Sequence, residues 1–207
     1  MNIFYENINH VNKPFYKEFM ASLKKLNING SYILGKNVKK FEENFSNYLG
    51  TNYCVGVANG LDALTISLKS LQLPSNSEIL VASNSYIACI ISIINAGLKP
   101  VLVEPRIDNY NIDPKEIRKK ITNKTKGILA VHLYGKSCDM DEILSICNKE
   151  KLYLIEDCAQ SHGSTYKNKK TGTFGKYGCF SFYPTKLLGA IGDGGAIVCK
   201  KKNEINY

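Results

Sequence analysis

The sequence predicts an α/β protein, a mainly parallel (mixed) sheet with helices on both faces. Three observations carry that reading. From residue 50 onward, short apolar runs alternate with segments whose apolar residues recur at helical spacing. The runs are almost continuously apolar, as strands buried on both faces are. At the end of the chain, two apolar runs are joined by a short glycine-rich link that suits an antiparallel turn better than a crossover helix.

Residues 1–50 read as a helical lead-in, within which KNVKKFEENFSNYL (36–49) is amphipathic, and residues 51–207 as the large domain. YCVGVA (53–58) is a short buried strand, GLDALTISLKSL (60–71) a helix and EILVAS (78–83) a second strand. A helix over 86–96 and an edge strand PVLVE (100–104) follow. Asp113-Pro114 is a helix start signal, because Asp caps free N–H groups and proline is tolerated in the first turn. GILAVHL (127–133) and YLIED (153–157) are strands flanking a helix over 140–150, and CFSFY (179–183) and GAIVC (195–199) form the terminal antiparallel pair. No internal repeat or low-complexity linker interrupts the series.

The composition excludes several classes. With 44% apolar and 22% charged residues among 207, the chain has enough apolar content for a core, which argues against disorder. Seven scattered cysteines without a CxxC read as buried reduced thiols of a cytoplasmic protein, not as a disulfide or zinc framework. The start lacks a charged segment followed by an apolar one, and the longest apolar stretch, 87–98, is too short to span a bilayer, so no membrane association is expected. The net charge of +9 is spread over the chain, without interleaved aromatics or a recognition-helix signature, so no nucleic-acid partner is expected.

In open α/β sheets, ligands sit beyond the carboxyl ends of the strands, so the residues that follow each strand carry the information. Asn59-Gly60-Leu61-Asp62 opens a helix, whose free N–H groups make a phosphate cradle unlike either GxGxxG or a P-loop. Tyr86 follows a strand and could stack on a planar ring, or simply pack. Asp157 ends a strand, where a carboxylate is costly to bury without a cationic partner such as a protonated ring nitrogen. Lys186, in SFYPTKLLGAIGDGGA (181–196), lies in a tight glycine-rich turn, where a lysine can act as an amine nucleophile toward a carbonyl. Together with Ser181, this set looks like a pyridoxal phosphate site without a metal. His132 and His162 are candidates for additional acid–base groups, and a structural role is the plainer reading of each.

The motifs NGLDAL (59–64), NIDP (111–114), VHLYG (131–135), IEDCAQSHG (155–163) and SFYPTKLLGAIGDGGAIV (181–198), in that order and spacing, closely resemble the nucleotide-sugar aminotransferases of the DegT/DnrJ/EryC1/StrS group. The resemblance runs from about residue 3 to the last. It implies the large domain of a fold type I pyridoxal phosphate enzyme, with the family's smaller C-terminal domain absent. It implies that Lys186 binds the cofactor and shuttles protons, Asp157 pairs with the pyridine nitrogen, and Gln160 faces the phenolic oxygen. Tyr86 would stack on the ring, while Ser181 and the amides of Gly60, Leu61 and Asp62 would hold the phosphate. The family commonly has Thr after the glycine, where this chain has Leu61, leaving a backbone contact alone at that position. The resemblance further implies glutamate and a keto sugar nucleotide as substrates, with a lean toward a dTDP-linked 3-keto-6-deoxyhexose of polysaccharide biosynthesis, and a homodimer. The alternative is a catalytically incomplete relative that binds cofactor or a partner without turnover.

Overall fold

The structure, a computed structural model, describes residues 6–201. Its centre is a seven-stranded sheet of β1 (Tyr53–Val57), β2 (Glu78–Ala82), β3 (Lys99–Val103), β4 (Thr125–Val131), β5 (Tyr153–Asp157), β8 (Tyr177–Ser181) and β9 (Gly195–Cys199), in the spatial order β1-β9-β8-β5-β4-β2-β3. The pairs from β8 through β5, β4 and β2 to β3 are parallel. β9 runs antiparallel to both β8 and β1, so it is the one reversed strand of the sheet. Every residue of β2, β8 and β9 is buried, which is why these runs lack polar alternation.

The α/β expectation holds, and β3 takes the edge position foreseen for 100–104. Two details differ. The strand expected at 179–183 begins at Tyr177, because parallel pairing with β5 already starts there, and ends at Ser181, where pairing with β9 stops. Gly178 hid this start, since glycine reads as a breaker; a Cβ at Gly178 would come within 2.2 Å of the Gly172 carbonyl oxygen. A two-stranded hairpin, β6 (Thr165–Tyr166) and β7 (Lys169–Lys170), was not foreseen, because its turn at Lys167-Asn168 uses positive φ without glycine.

Alternation along the strands sorts the core into two layers. Ile79, Val81, Leu129 and Ile155 pack with Leu64 and Leu68 of α4 (Gly60–Ser70) and Cys89 and Ile93 of α5 (Ile87–Asn95). Leu80, Ile128 and Leu154 face the other way, onto Ile117 of α6 (Pro114–Lys120) and Met140, Ile143 and Ile146 of α7 (Met140–Glu150). On that second face, α3 (Lys36–Leu49) inserts Phe45 and Leu49 among Phe180, Phe182 and Val198. Phe45 meets Phe180 and Phe182 edge to face, with ring centroids 5.0 and 5.4 Å apart. α1 (Ile8–Asn12) and α2 (Tyr16–Asn29) precede α3 and contain no buried residue. Among the described residues, no helix is long and apolar enough to cross a membrane.

Candidate active site

Because β9 alone is reversed, β1, β2, β4, β5 and β8 present their carboxyl ends on the same side. The segments leaving these strands enclose a cavity of about 640 Å³. Gly60, Leu61, Tyr86, Asp157, Gln160, Ser181 and Lys186 all line it, so residues up to 126 positions apart in sequence meet in one wall.

The β1–α4 turn supplies backbone donors. Asn59 caps α4, its side-chain oxygen accepting from the Asp62 N–H at 2.8 Å. Of the amides over 60–62, that of Asp62 is donated to the Asn59 side chain, and Asp62 lies off the cavity wall that Gly60 and Leu61 line. Among the described residues, nothing accepts from the N–H of Gly60 or Leu61, the two orphan donors at the positive end of the helix. Gly60 cannot carry a side chain here, since a Cβ would lie 2.7 Å from the Cβ of Ser181. That close approach brings the Ser181 hydroxyl to the same helix end.

Asp157 ends β5 on the α4/α5 face, opposite Cys179 in the ladder. It is 7% exposed. Its Oδ1 accepts from the Ala159 N–H at 2.9 Å and its Oδ2 from the Cys89 thiol at 3.1 Å. Among the described residues, no Lys, Arg or His lies within ion-pairing distance of it. A buried carboxylate without a cation at the wall of a cavity favours a cationic donor inside that cavity. Gln160 is oriented by its neighbour: Oε1 accepts from the Tyr134 N–H at 2.7 Å, which leaves the Nε2 donors for the cavity. Tyr134 holds a left-handed backbone (φ 54°), and buried Asn111 staples the same turn by accepting from Leu133 N–H and donating to the Lys136 carbonyl.

Lys186 sits in the link between β8 and β9. Phe182 closes the base of this link, donating to the Gly194 carbonyl and accepting from the Ala190 N–H, each at 2.7 Å. The Lys186 N–H turns back onto the Tyr183 carbonyl at 2.8 Å. Gly189 passes so near Pro184 that a Cβ would come within 2.4 Å of its carbonyl oxygen. Tyr86 stands at the start of α5, 70% exposed, with an open ring face at the cavity wall.

The two histidines lie apart from the cavity wall. His132 is fully buried; its Nε2 is 3.0 Å from Glu156 Oε2, and its Nδ1 accepts from the Cys138 N–H at 3.1 Å. The carboxylate favours a protonated ring, but the Cys138 N–H occupies the place of the second proton, so His132 is neutral with its proton on Nε2. Burial raises the Glu156 carboxyl pKa, yet His132 and the N–H groups of Gly175 and Gly172 outweigh burial and hold it below its usual range. Cys158 approaches this pair, all three groups lying within 4.8 Å, but the histidine and carboxylate are already committed to hydrogen bonds, which makes the cluster a brace for the loop 172–175. His162 packs against Phe180 and Phe182, and burial first, then the Lys186 charge, hold its pKa down to about 4.

Residues 15–206 match the DegT/DnrJ/EryC1/StrS aminotransferase family over nearly the whole chain. This chain belongs to that family. Among members of the DegT/DnrJ/EryC1/StrS family, the dTDP-3-amino-3,6-dideoxy-alpha-D-galactopyranose transaminase of Aneurinibacillus thermoaerophilus is 50% identical over 190 residues, covering 92% of this chain and 52% of that protein. The crystal structure of S. venezuelae DesV in complex with a ketimine intermediate superposes with a TM-score of 0.93 at 36% identity, covering 96% of this chain and 53% of DesV. NtdA from Bacillus subtilis, solved with bound cofactor PMP, gives a TM-score of 0.93 at 30% identity, covering 98% of this chain and 46% of that one. The chain thus spans about half the length of these relatives.

Two wall or contact residues, Asp193 and Cys89, escaped the sequence reading, as did the capping role of Asn59. Asn59 is the cap that commits the Asp62 amide, Asp193 shares the cavity with Lys186, and Cys89 holds Asp157. The signal for Cys89 was present: it follows Tyr86 by three and precedes Ile93 by four, which sets it on the sheet-facing side of α5.

Proposed function

We propose that this chain is the cofactor-binding part of a pyridoxal phosphate-dependent aminotransferase that moves an amino group from glutamate to a keto sugar nucleotide. The observation that carries the reading is Asp157, a buried carboxylate without a cation on the wall of a cavity that also contains Lys186 and the open amino end of α4. A pyridinium N–H would supply the missing cation, and a phosphate would take the Gly60 and Leu61 N–H groups and the Ser181 hydroxyl. Gln160 Nε2 would donate to the phenolic oxygen, and Tyr86 would cover one ring face.

When bound, the cofactor supplies an electron sink for the charge that forms as a proton leaves the amino-bearing carbon. The chain's own part falls chiefly to Lys186. Its Nζ, unprotonated, takes the proton from the Cα of glutamate; in the return half-reaction it delivers a proton to the sugar carbon that receives the amine. Water thus supplies the carbonyl oxygen of 2-oxoglutarate as the amino group leaves glutamate, and the sugar carbonyl oxygen leaves as water. Asp157 would keep the ring nitrogen protonated, and the wall of Leu64, Val131 and Leu133 would limit access of bulk water. The dTDP-linked relative supports a dTDP-3-keto-6-deoxyhexose as the acceptor. We place the reaction in the cytoplasm, consistent with seven buried free thiols, and in a homodimer, as the family resemblance implies.

Titration of the 207-residue chain with pyridoxal phosphate tests this directly. An absorbance band that is lost in Lys186→Ala and shifts on adding glutamate is the expected result. A folded wild-type chain without such a band sinks the reading. A band indifferent to glutamate would instead mark a unit that binds cofactor without turnover.

A further inference from the structure

The Cys89 thiol is fully buried in the first turn of α5, and its sulfur lies 3.1 Å from Asp157 Oδ2. Burial, followed by the charge of Asp157, raises the thiol pKa, so it stays protonated and donates to the carboxylate. A thiol has one proton, and this one has a single acceptor among the described side chains. Beside the sulfur stands the hydroxyl of Ser85, a buried oxygen with no hydrogen-bond partner of good geometry among the described residues. It can feed the sulfur as a donor and complete a short series from Ser85 through Cys89 to Asp157.

We propose that Cys89 is a positioning residue for Asp157: its S–H and the Ala159 N–H grip one carboxylate oxygen each, so that the lone pairs left over face the cavity. The inference rests on the reading that Asp157 pairs with a cationic ring nitrogen there. The choice of donor matters for that pairing. Two amide or hydroxyl donors would draw charge off the carboxylate and weaken its hold on a cationic N–H. An S–H is a weak donor, so Cys89 fixes direction while leaving the carboxylate's charge for a cationic N–H. The ladder explains why α5 can provide the grip: Asp157 pairs with Cys179 on the face that α4 and α5 cover, and the sheet-facing side of α5 brings Cys89 over the end of β5.

The test has two readouts. In the cofactor-free chain, infrared spectroscopy of the S–H stretch resolves thiols by hydrogen-bond strength. One shifted band is expected to vanish in Cys89→Ala and to move in Asp157→Asn; a Cys89 band unmoved by Asp157→Asn overturns the proposal, whatever the cofactor does. In titrations with pyridoxal phosphate, Cys89→Ala is expected to weaken binding by about threefold to tenfold, and Cys89→Ser, which keeps the direction of the grip but donates more strongly, to fall between Cys89→Ala and wild type. Equal affinity of Cys89→Ala and wild type overturns the proposal while leaving the assigned function standing. Failure of wild type itself to form a Lys186-dependent band removes the function, and the positioning role with it, even where the infrared contact persists. Thermal melts of each variant separate loss of fold from loss of grip.

Discussion

At the scale of single residues, the site depends on places where atoms approach too closely for substitution. Gly60 is the sharpest case, because its missing Cβ makes room for Ser181, whose own position is set by the β8 ladder. Gly60→Ala is expected to push the amino end of α4 away from Ser181 and to weaken pyridoxal phosphate binding by about tenfold, with the melting transition retained, as read by absorbance titration and circular dichroism. His162 makes a separate prediction. Its pKa is about 4 in the folded chain against a usual 6.5, so between these values the unfolded chain binds the extra proton and the folded one does not. Stability from this residue is complete above pH 6.5 and is lost as the pH falls toward 4, on the order of 2–3 kcal/mol over that window. Urea unfolding of wild type and His162→Asn at several pH values checks this: the difference between the two is expected to shrink by that amount from pH 7 to pH 4.

At the scale of elements, β5 places two adjacent acids on opposite faces and gives them opposite tasks. Asp157 faces α5 and the cavity, whereas Glu156 faces away and accepts from His132 and from the N–H groups of Gly172, Phe174 and Gly175. Glu156→Gln exchanges one acceptor oxygen for a donor that opposes those N–H groups, so a loss of about 2–4 kcal/mol in urea unfolding is expected, and a loss below 1 kcal/mol would contradict the brace. Much of this was legible in the sequence. The apolar runs marked every strand of the main sheet, and the Asp113-Pro114 start and the amphipathic 36–49 segment gave helices where they stand. Residues that follow strands gave the wall of the cavity, because an open sheet gathers those ends together. What stayed hidden depended on three-dimensional approach. The start of β8 was masked by Gly178, whose role is set by Gly172 against it, and the commitment of the Asp62 amide needed the Asn59 rotamer. The grip of Cys89 on Asp157 joins residues 68 positions apart, which no local pattern encodes.

At the scale of the whole molecule, the order β1-β9-β8 ties the first strand of the sheet to the last. Among the described residues, β1 has β9 as its sole strand partner, so β1 joins the rest of the sheet through a strand that appears more than 130 residues later. Val198 stands at the centre of that join, fully buried, paired with Cys54 on one side and Gly178 on the other, and in the cluster that Phe45 and Phe180 fill. Val198→Asp would bury an unpaired charge among aromatic rings and is expected to cost at least about 4 kcal/mol, a large part of the stability of an ordinary domain. Val198→Ala leaves only a small void and is expected to cost about 1–3 kcal/mol. The two variants separate a global role from a local one. If β9 closes the sheet as a whole, Val198→Ala shifts a single cooperative transition seen alike by circular dichroism and by the Lys186-dependent absorbance band. If β1 and β9 were a detachable edge, the band would be lost well before the helical signal, because the Gly60 end of the cavity would leave with β1 while β2 through β8 stayed folded.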